Sequence, residues 1–355
     1  MDNKVYRKIS MKPNAVQVGS VAVGGDAPVS IQTMWKRPLD TVDETLIAGV
    51  NRIKALGCDI LRFAVPDLPA ADRLGELSQR VSIPLVADIH FDHRLALRCL
   101  DYPIAKIRIN PGNIGARWKV EEIVHKAQDK GVPIRIGVNH GSLPKKYQEH
   151  PDPAEALVLA AEEEIEVLES LSFRSIIVSM KSSDTTSTVE ANRRFSQRHS
   201  YPLHIGITEA GPLIPGIVRS TLALSELLRE GIGSTVRISL SDSPDSEVLT
   251  ARELLTALGL RKGGIRLISC PRCGRAGFDV QGFLQEMSDR LQTDSRDLTI
   301  AVMGCVVNGP GESRYADLGI TGSGEKVVIF KKGTIVRTVQ PEEAVQAFLE
   351  EFENL

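Results

Sequence analysis

The stretch PLVADIH, residues 84–90, decides the fold because it is a short apolar run that ends in polar residues. Seven further runs share this character, and helix-length segments separate them. Strands that are apolar on both faces and alternate with helices are typical of a parallel sheet covered on all sides. Eight such units predict a (β/α)8 TIM barrel, an α/β fold, with an open doubly wound sheet as the alternative. The other runs are VSIQTM at 29, DILRFAV at 59, AKIRIN at 105, PIRIGVN at 133, SIIVSM at 175, PLHIGIT at 202 and TVRISL at 235.

The segments between and around these runs complete the predicted barrel. Amphipathic periodicity indicates helices, and VQVGSVAVGG, residues 16–25, reads as a hairpin that plugs the bottom of the barrel. The predicted helices cover 41–56, 70–80, 119–130, 153–171, 188–198, 220–230 and 247–258.

A second domain of different content begins near Lys262, with Gly263 and Gly264 as the predicted hinge. It contains a C-x-x-C pair, a helical pattern near 280–292, the strand-like LTIAVM and the hairpin-like KVVIFKKGTIVRTV. We therefore expect residues 1–261 to form the barrel and 262–355 a smaller α/β domain.

Composition excludes several classes of protein. The chain has 355 residues, 42% of them hydrophobic and 25% charged, which is typical of a globular protein. A net charge of −2 predicts neither nucleic-acid nor membrane binding. No run approaches the roughly 18 apolar residues of a membrane span, and MDNKVYRKIS lacks the apolar core of a signal peptide. Five cysteines fit a reducing compartment better than a disulfide framework, so a cytoplasmic location is expected.

Basic residues occur in strand runs that should face the inside of the barrel. A buried isolated charge costs several kcal/mol or more, so each of these groups requires an anion. Active sites of this fold lie at the carboxyl ends of the strands, where polar residues also follow these runs. The basic residues are Arg62, Arg108, Arg135, Lys181 and Arg237, and the polar ones are Asp88, His90, Asn110, Asn139, Glu209 and Ser239.

Two interpretations of these side chains stay open from the residues alone. Asp88 and Glu209 can neutralise two of the cations as internal salt bridges. They leave a surplus of positive charge, and arginine forks fit phosphate or diphosphate groups, which predicts a phosphorylated ligand. His90 and Asn139 can equally be polar caps at strand ends.

The cysteines of the second domain indicate a metal centre. Cys270, Cys273 and Cys305 suit zinc or an iron-sulfur cluster, but a structural zinc site normally has four Cys or His ligands and this domain has no histidine. A [4Fe-4S] cluster normally takes four thiolates, so three leave one iron for another ligand. Glu312, after the turn-rich NGPG run, is the nearest carboxylate. The alternatives are that Glu312 only caps the next element and that Cys270 and Cys273 form a disulfide.

Several motifs resemble one known family. VADIHFDHRLAL, RINPGNIG, PIRIGVNHGSL, PLHIGITEAG, EGIGSTVRISLS, SCPRCGR and MGCVVNGPGE are similar to the bacterial two-domain 4-hydroxy-3-methylbut-2-en-1-yl diphosphate synthases, over about residues 15–320. The resemblance implies a TIM barrel followed by a [4Fe-4S] domain similar to those of sulfite and nitrite reductases. It also implies the two-electron ring opening and dehydration of 2-C-methyl-D-erythritol 2,4-cyclodiphosphate in non-mevalonate isoprenoid biosynthesis.

The resemblance also implies roles for individual residues. Cys270, Cys273, Cys305 and Glu312 would hold the cluster, and Glu209 would donate a proton. A flavodoxin or ferredoxin would supply electrons, and a head-to-tail homodimer would place each cluster domain over the partner's barrel. The cyclic diphosphate would be bound by Arg62, Asp88, His90, Arg108, Asn110, Arg135, Asn139, Lys181, Arg237 and Ser239.

The chain departs from the family pattern at three places near the barrel mouth. Trp35 and Lys36 replace small polar residues, His140 replaces a small residue, and PLIPG at 212–216 replaces a run of small residues. None of these departures removes a predicted ligand. A non-catalytic iron-sulfur redox sensor and a zinc-stabilised phosphosugar-binding barrel are the alternatives of a different class, although a sensor does not need five convergent cations.

The substitution Glu312→Cys tests the expected ligand exchange at one iron. The variant should keep a brown cluster, because a thiolate is also an iron ligand, yet turn over more slowly, because a fourth thiolate exchanges less readily. Absorption spectra and steady-state rates measure the two properties. Unchanged turnover with an intact cluster would count against exchange at that position.

Overall fold

The computed structural model describes residues 11–270, 277–305, 313–323 and 325–355. The chain divides into two compact units, with the boundary between Arg261 and Lys262. The first contains eight parallel strands and the second a separate five-stranded sheet.

Eight parallel strands of the first unit form a nearly closed barrel. The strand order is β8-β7-β6-β5-β4-β3-β10-β9, and a bridge between Val178 and Leu203 joins the two ends of this order. Each predicted apolar run contains one strand, so the prediction of a TIM barrel is confirmed. The strands are β3 (Ser30–Met34), β4 (Ile60–Ala64), β5 (Leu85–Asp88), β6 (Lys106–Ile109), β7 (Ile134–Asn139), β8 (Ile176–Lys181), β9 (His204–Ile205) and β10 (Thr235–Val236).

Helices surround this barrel, and side-chain caps fix where several begin. Aspartate carboxylates, such as that of Asp67 on the amide of Ala70, accept hydrogen bonds from first-turn N–H groups. The prediction missed three short helices, of seven, four and four residues, and placed the start of the ninth helix too late. The helices are α1 (Glu44–Ala55), α2 (Leu68–Arg80), α3 (His93–Cys99), α4 (Pro111–Ile114), α5 (Arg117–Lys130), α6 (Lys145–Gln148), α7 (Pro153–Ser170), α8 (Thr185–Arg198), α9 (Leu213–Arg229) and α10 (Pro244–Ala257).

The early start of α9 has a local cause. Pro212 occupies the position before the helix and Pro215 lies in its first turn, where a missing N–H costs no intrahelical hydrogen bond. The segment PLIPG, which lay outside the predicted helix 220–230, is therefore mostly the first turn of α9. None of the helices in the described ranges is long and apolar enough to cross a membrane.

A short hairpin closes the amino-terminal end of the barrel. Its strands β1 (Val16–Val18) and β2 (Val21–Val23) pair antiparallel. Valines from the hairpin form one buried cluster with Ile60, Val86 and Ile177, which are interior residues of three barrel strands. The predicted plug is confirmed, and the described residues leave the opposite end of the barrel, at the carboxyl ends of the strands, for the site.

The described residues of the second unit form a five-stranded sheet with two α-helices. Strands β11 (Ile265–Ser269), β12 (Leu298–Met303) and β13 (Leu318–Ser323) are parallel, and β14 (Lys326–Lys331) and β15 (Thr334–Val339) extend the sheet antiparallel. Helices α11 (Val280–Thr293) and α12 (Ala344–Glu353) contribute Phe283, Phe348 and Phe352 to its own buried core. A smaller α/β domain was predicted here.

The substitution Val18→Ala tests the contribution of the plug. Val18 is fully buried, so the loss of two methyl groups should lower the free energy of unfolding by about 1–3 kcal/mol. Urea unfolding of the full chain measures this change. Gln17→Ala, on the exposed side of the same strand, is the control and should stay within about 0.5 kcal/mol. Equal effects of the two changes would contradict a packed plug.

Candidate functional site

The carboxyl ends of the barrel strands carry the site residues. Alternate residues of a barrel strand point inward, and the basic residues predicted from the sequence occupy these inward positions. Arg108, Arg135 and Lys181 are 5%, 2% and 7% exposed, so their charges are held away from bulk water. The structure therefore brings the predicted cations together inside the barrel mouth.

Asp88, the last residue of β5, is the anion at the centre of this group. Its carboxylate accepts a hydrogen bond from Nη1 of Arg108 at 3.2 Å and lies 3.6 Å from Nε of Arg62. Burial works to raise the pKa of Asp88, but the Arg62, Arg108 and Arg135 guanidiniums together hold it below its usual value. Asp88 therefore stays charged and orients two guanidiniums.

Two cations of the mouth have no carboxylate partner in the described part of the chain. Nη1 of Arg135 donates to Oγ of Ser179 at 2.8 Å, and its Nε is buried without a partner. Lys181 makes no hydrogen bond or ion pair with any described residue. Burial and the neighbouring Arg135 and Arg237 lower the pKa of Lys181 well below its usual value. The two basic groups therefore lack a neutralising carboxylate among the described residues.

The eighth strand contributes Arg237, and a helix supplies its counter-ion. Nη1 of Arg237 donates to the hydroxyl of Ser239, and Nη2 lies 3.4 Å from Oε1 of Glu247 on α10. Glu247 is 1% exposed and was not predicted as a site residue. Glu247 is the fourth residue of α10, and nothing in the periodicity of a helix indicates that one of its side chains contacts residues at the end of a strand.

The interpretation of Glu209 as a neutralising acid is wrong. Glu209 is exposed, follows β9 in the left-handed region with φ 51°, and forms no ion pair with any residue that the structure describes. Asp88 and Glu247 are the carboxylates that pair with the cations. A loop residue with this exposure is solvated, whereas Glu247 is directed inward by the packing of α10 on β3.

The polar residues at the strand ends have different local partners. Both ring nitrogens of His90 lie near Nη1 of Arg108, at 3.1 and 3.3 Å, and burial with the nearby guanidiniums lowers the pKa of His90. Asn110 is buried and its side-chain oxygen accepts the amide of Gly112, so it caps α4. Asn139 ends β7 half-buried.

The three single residues that depart from the family pattern near the mouth lie in three different surroundings. The ring of Trp35 stacks on Phe63 with centroids 5.8 Å apart and packs against Gly49, where an added Cβ would lie 2.9 Å from the ring. Lys36 instead pairs with Glu247 at 2.9 Å. His140 is exposed in the turn after β7.

A polar layer below the mouth was missed in the sequence. Lys106 is fully buried, and its ammonium donates to Oε1 of Gln32 at 3.0 Å. His204 is also fully buried, and neither ring nitrogen has a partner among the described residues. Lys106 lies two residues before Arg108, and residues two apart on a strand share a face. The spacing of two residues from Arg108 was therefore the sequence signal that Lys106 also points into the barrel.

Positive charge exceeds negative charge inside the barrel. The described interior contains four guanidiniums and two lysine ammonium groups, but Asp88 and Glu247 are the carboxylates paired with them. Even with both lysines neutral, the guanidiniums outnumber the carboxylates. Burial without full pairing is unfavourable, so the mouth is built for a ligand of at least two negative charges.

In the second unit, two predicted metal ligands come to one edge of the sheet. Cys270 follows β11 and Cys305 follows the parallel neighbour β12, with Ser269 in register with Val302. Both cysteines are half-buried. Cys273 and Glu312 lie outside the described residues, and within the described ranges no three His, Cys, Asp or Glu side chains are grouped to hold a metal ion.

Comparison with known families covers nearly the whole chain. Residues 13–252 match the family model "GcpE TIM-barrel domain", and residues 266–354 match "GcpE protein C-terminal domain". A relative from Treponema denticola, named 4-hydroxy-3-methylbut-2-en-1-yl diphosphate synthase (flavodoxin), is 49% identical over 96% of each chain. A relative of the same name from Treponema pallidum is 52% identical over 91% of this chain and 83% of its own.

Solved structures share the fold of the first unit. Dihydropteroate synthase from Xanthomonas albilineans is 14% identical, with a TM-score of 0.50 over 70% of this chain and 98% of that one. The HPPK-DHPS protein of Plasmodium falciparum is 10% identical, with a TM-score of 0.53 over 70% of this chain and 49% of that one. These likenesses concern the barrel alone.

The substitution Lys106→Met tests the cost of the buried ammonium. Burial and the nearby Arg135 and Arg62 lower the pKa of Lys106 well below 10.5, its value in the unfolded chain. Below that pH the unfolded state binds the proton more readily, so Lys106 costs more stability as the pH falls. The variant should be more stable by about 1–3 kcal/mol at pH 7, with a smaller gain at pH 9.

Urea unfolding of the full chain at both pH values measures this difference. Lys130→Met removes an exposed lysine and should leave the pH dependence unchanged. If the free energy of unfolding of Lys106→Met changed with pH in the same way as that of the parent protein, a folded-state pKa of Lys106 below 10.5 would be contradicted.

Proposed function

The chain belongs to the GcpE family, and from this membership we propose that it is a flavodoxin-dependent 4-hydroxy-3-methylbut-2-en-1-yl diphosphate synthase. Its substrate is 2-C-methyl-D-erythritol 2,4-cyclodiphosphate, which it opens and dehydrates to (E)-4-hydroxy-3-methylbut-2-enyl diphosphate in the non-mevalonate isoprenoid pathway. The observation that carries the proposal is the surplus of buried guanidiniums at the barrel mouth, since a cyclic diphosphate supplies the missing negative charge.

The basic side chains hold the diphosphate in this proposal. Arg62 and Arg108 are oriented by Asp88, and Arg135 and Lys181 lack other anions among the described residues. Lys181 gains a phosphate partner, which raises its pKa and favours its protonated form. The fixed guanidiniums then orient the ring without a large rearrangement of the protein.

The polar residues at the strand ends complete the binding site. Ser239 already accepts a hydrogen bond from Arg237, so its hydroxyl proton is available to a phosphate oxygen. His90, Asn110 and Asn139 contact the substrate at the rim. Glu209 donates a proton to the departing oxygen, a role that its place after β9 supports, because loops at these strand ends carry the reactive groups of barrel enzymes.

The second unit holds a [4Fe-4S] cluster through Cys270, Cys273, Cys305 and Glu312. The donor set fits, because Cys270 and Cys305 follow neighbouring parallel strands and both thiols are half-buried. When bound, the cluster supplies the two electrons of the reduction one at a time. The thiolates fix its position, and the carboxylate of Glu312 gives one site a ligand that exchanges more readily than sulfur.

A head-to-tail homodimer brings the cluster of one subunit to the mouth of the other. The course of the chain supports this arrangement, because α10 runs back from the mouth and Arg261, just beyond it, pairs at 2.8 Å with Asp59 before β4. The chain therefore leaves the first unit at its closed end. Gly263 and Gly264, both with positive φ, provide the hinge.

Turnover by protein purified without oxygen tests the proposed function. Protein with iron and sulfide near four each per chain, reduced by flavodoxin or dithionite, should convert the cyclic diphosphate, as measured by mass spectrometry. Arg135→Met should lower kcat/KM by about 10²–10³-fold, because a buried phosphate partner is lost. Arg117→Met, at an exposed residue paired with Glu121, is the control. No conversion by loaded parent protein would refute the proposal.

A further inference from the structure

A buried carboxylate joins the first strand of the barrel to the segment that follows the last strand, beside the mouth. Glu247 accepts hydrogen bonds from Oγ1 of Thr33 at 2.5 Å and from the amide of Leu240 at 2.9 Å. Two cations share the same carboxylate, Lys36 at 2.9 Å and Arg237 at 3.4 Å. A buried carboxylate needs one cation for neutrality, so the two compete for it.

Three oxygens hold the ammonium of Lys36. It lies 2.9 Å from Oε1 of Glu247 as an ion pair and donates hydrogen bonds to the carbonyl oxygens of Leu240, at 2.7 Å, and Asp242. Two of its three donors are therefore committed to the main chain. Lys36 is thereby fixed beside Glu247, although it lies close to the mouth.

Arg237, by contrast, has donors without a partner among the described residues. Its contact with Glu247 is the longer of the two, it involves a single nitrogen, and its Nε is buried without a partner among the described residues. A guanidinium has five donors, so most of its capacity stays open to an anion. If Lys36 were absent, Arg237 would be the remaining cation on Glu247 among the described residues, and a bidentate pair would follow.

We propose that Lys36 is a positioning residue that neutralises Glu247 and so keeps Arg237 free to bind the diphosphate. The inference rests on the proposed function for the identity of the anion. Lys36 acts through Glu247 and not by contact with the ligand. Its effect on binding must therefore disappear when Glu247 carries no charge.

A double-mutant cycle at the two positions tests this route. Titration calorimetry with inorganic diphosphate, on anaerobic cluster-loaded protein, gives the dissociation constant for the parent protein and for Lys36→Met, Glu247→Gln and both together. Lys36→Met should bind about 10-fold more weakly, and Glu247→Gln within about 3-fold of the parent. The double variant should return to within about 3-fold of the parent, because the oxygen of the neutral side-chain amide still accepts from the amide of Leu240 and its NH2 group donates to the hydroxyl oxygen of Thr33, without drawing Arg237 away.

Kinetics and two further variants complete the design. In Lys36→Met, KM for the cyclic diphosphate should rise with little change in kcat, since binding is lost equally in the ground and transition states. Lys36→Arg keeps a cation on Glu247 and should bind within about 3-fold of the parent, which keeps the test open if the methionine variant does not fold. Lys12→Met, at an exposed lysine paired with Asp26, controls for the loss of one positive charge.

Two results would overturn the inference. A double variant as weak as Lys36→Met would mean that Lys36 contacts the anion or only holds the 240–242 loop in place, and unchanged binding by Lys36→Met would mean that it has no effect. The outcome is separable from that of the proposed function. Parent protein that binds diphosphate but does not convert the cyclic substrate would refute the function alone.

Discussion

Buried guanidiniums grouped around a single carboxylate are the constraint on which the rest of the barrel depends. Asp88 accepts from Arg108 and lies beside Arg62, while Arg135, on the strand next to Arg108, has no carboxylate of its own among the described residues. Such a group repels itself unless an anion joins it. The barrel therefore needs rigid support around the cations and an opening through which an anion enters.

The architecture supplies both. The apolar core lies mainly between the strands and the surrounding helices, so the interior of the barrel is left for polar side chains. The hairpin closes the amino-terminal end with a small cluster of valines and isoleucines. In the described part of the chain, the carboxyl-terminal mouth is therefore the open end through which an anion reaches the cations, and His90, Asn139 and Glu209 lie at or just after the strand ends there.

Periodicity along the strands made much of the fold and part of the site predictable. Each barrel strand corresponds to a short apolar run in the sequence. An arginine inside such a run is therefore visible as a charge at a position that should be buried. Lys106 carried the same signal, two residues before Arg108 on the same face, but was missed at the second position of its run. Glu247 could not be found this way, because its role depends on α10 packing against β3, a contact across the whole chain. Glu209 was expected among the neutralising acids from its place after a strand, but the structure leaves its side chain exposed.

We infer that the barrel mouth is an anion site whose cations are uncompensated without a ligand. The urea unfolding midpoint of the full chain, with and without inorganic diphosphate at constant ionic strength, tests this inference. A ligand at about 100 times its dissociation constant stabilises the folded state by about 2.7 kcal/mol, so we expect a clear rise in the midpoint. A midpoint that does not change at saturating diphosphate would contradict it.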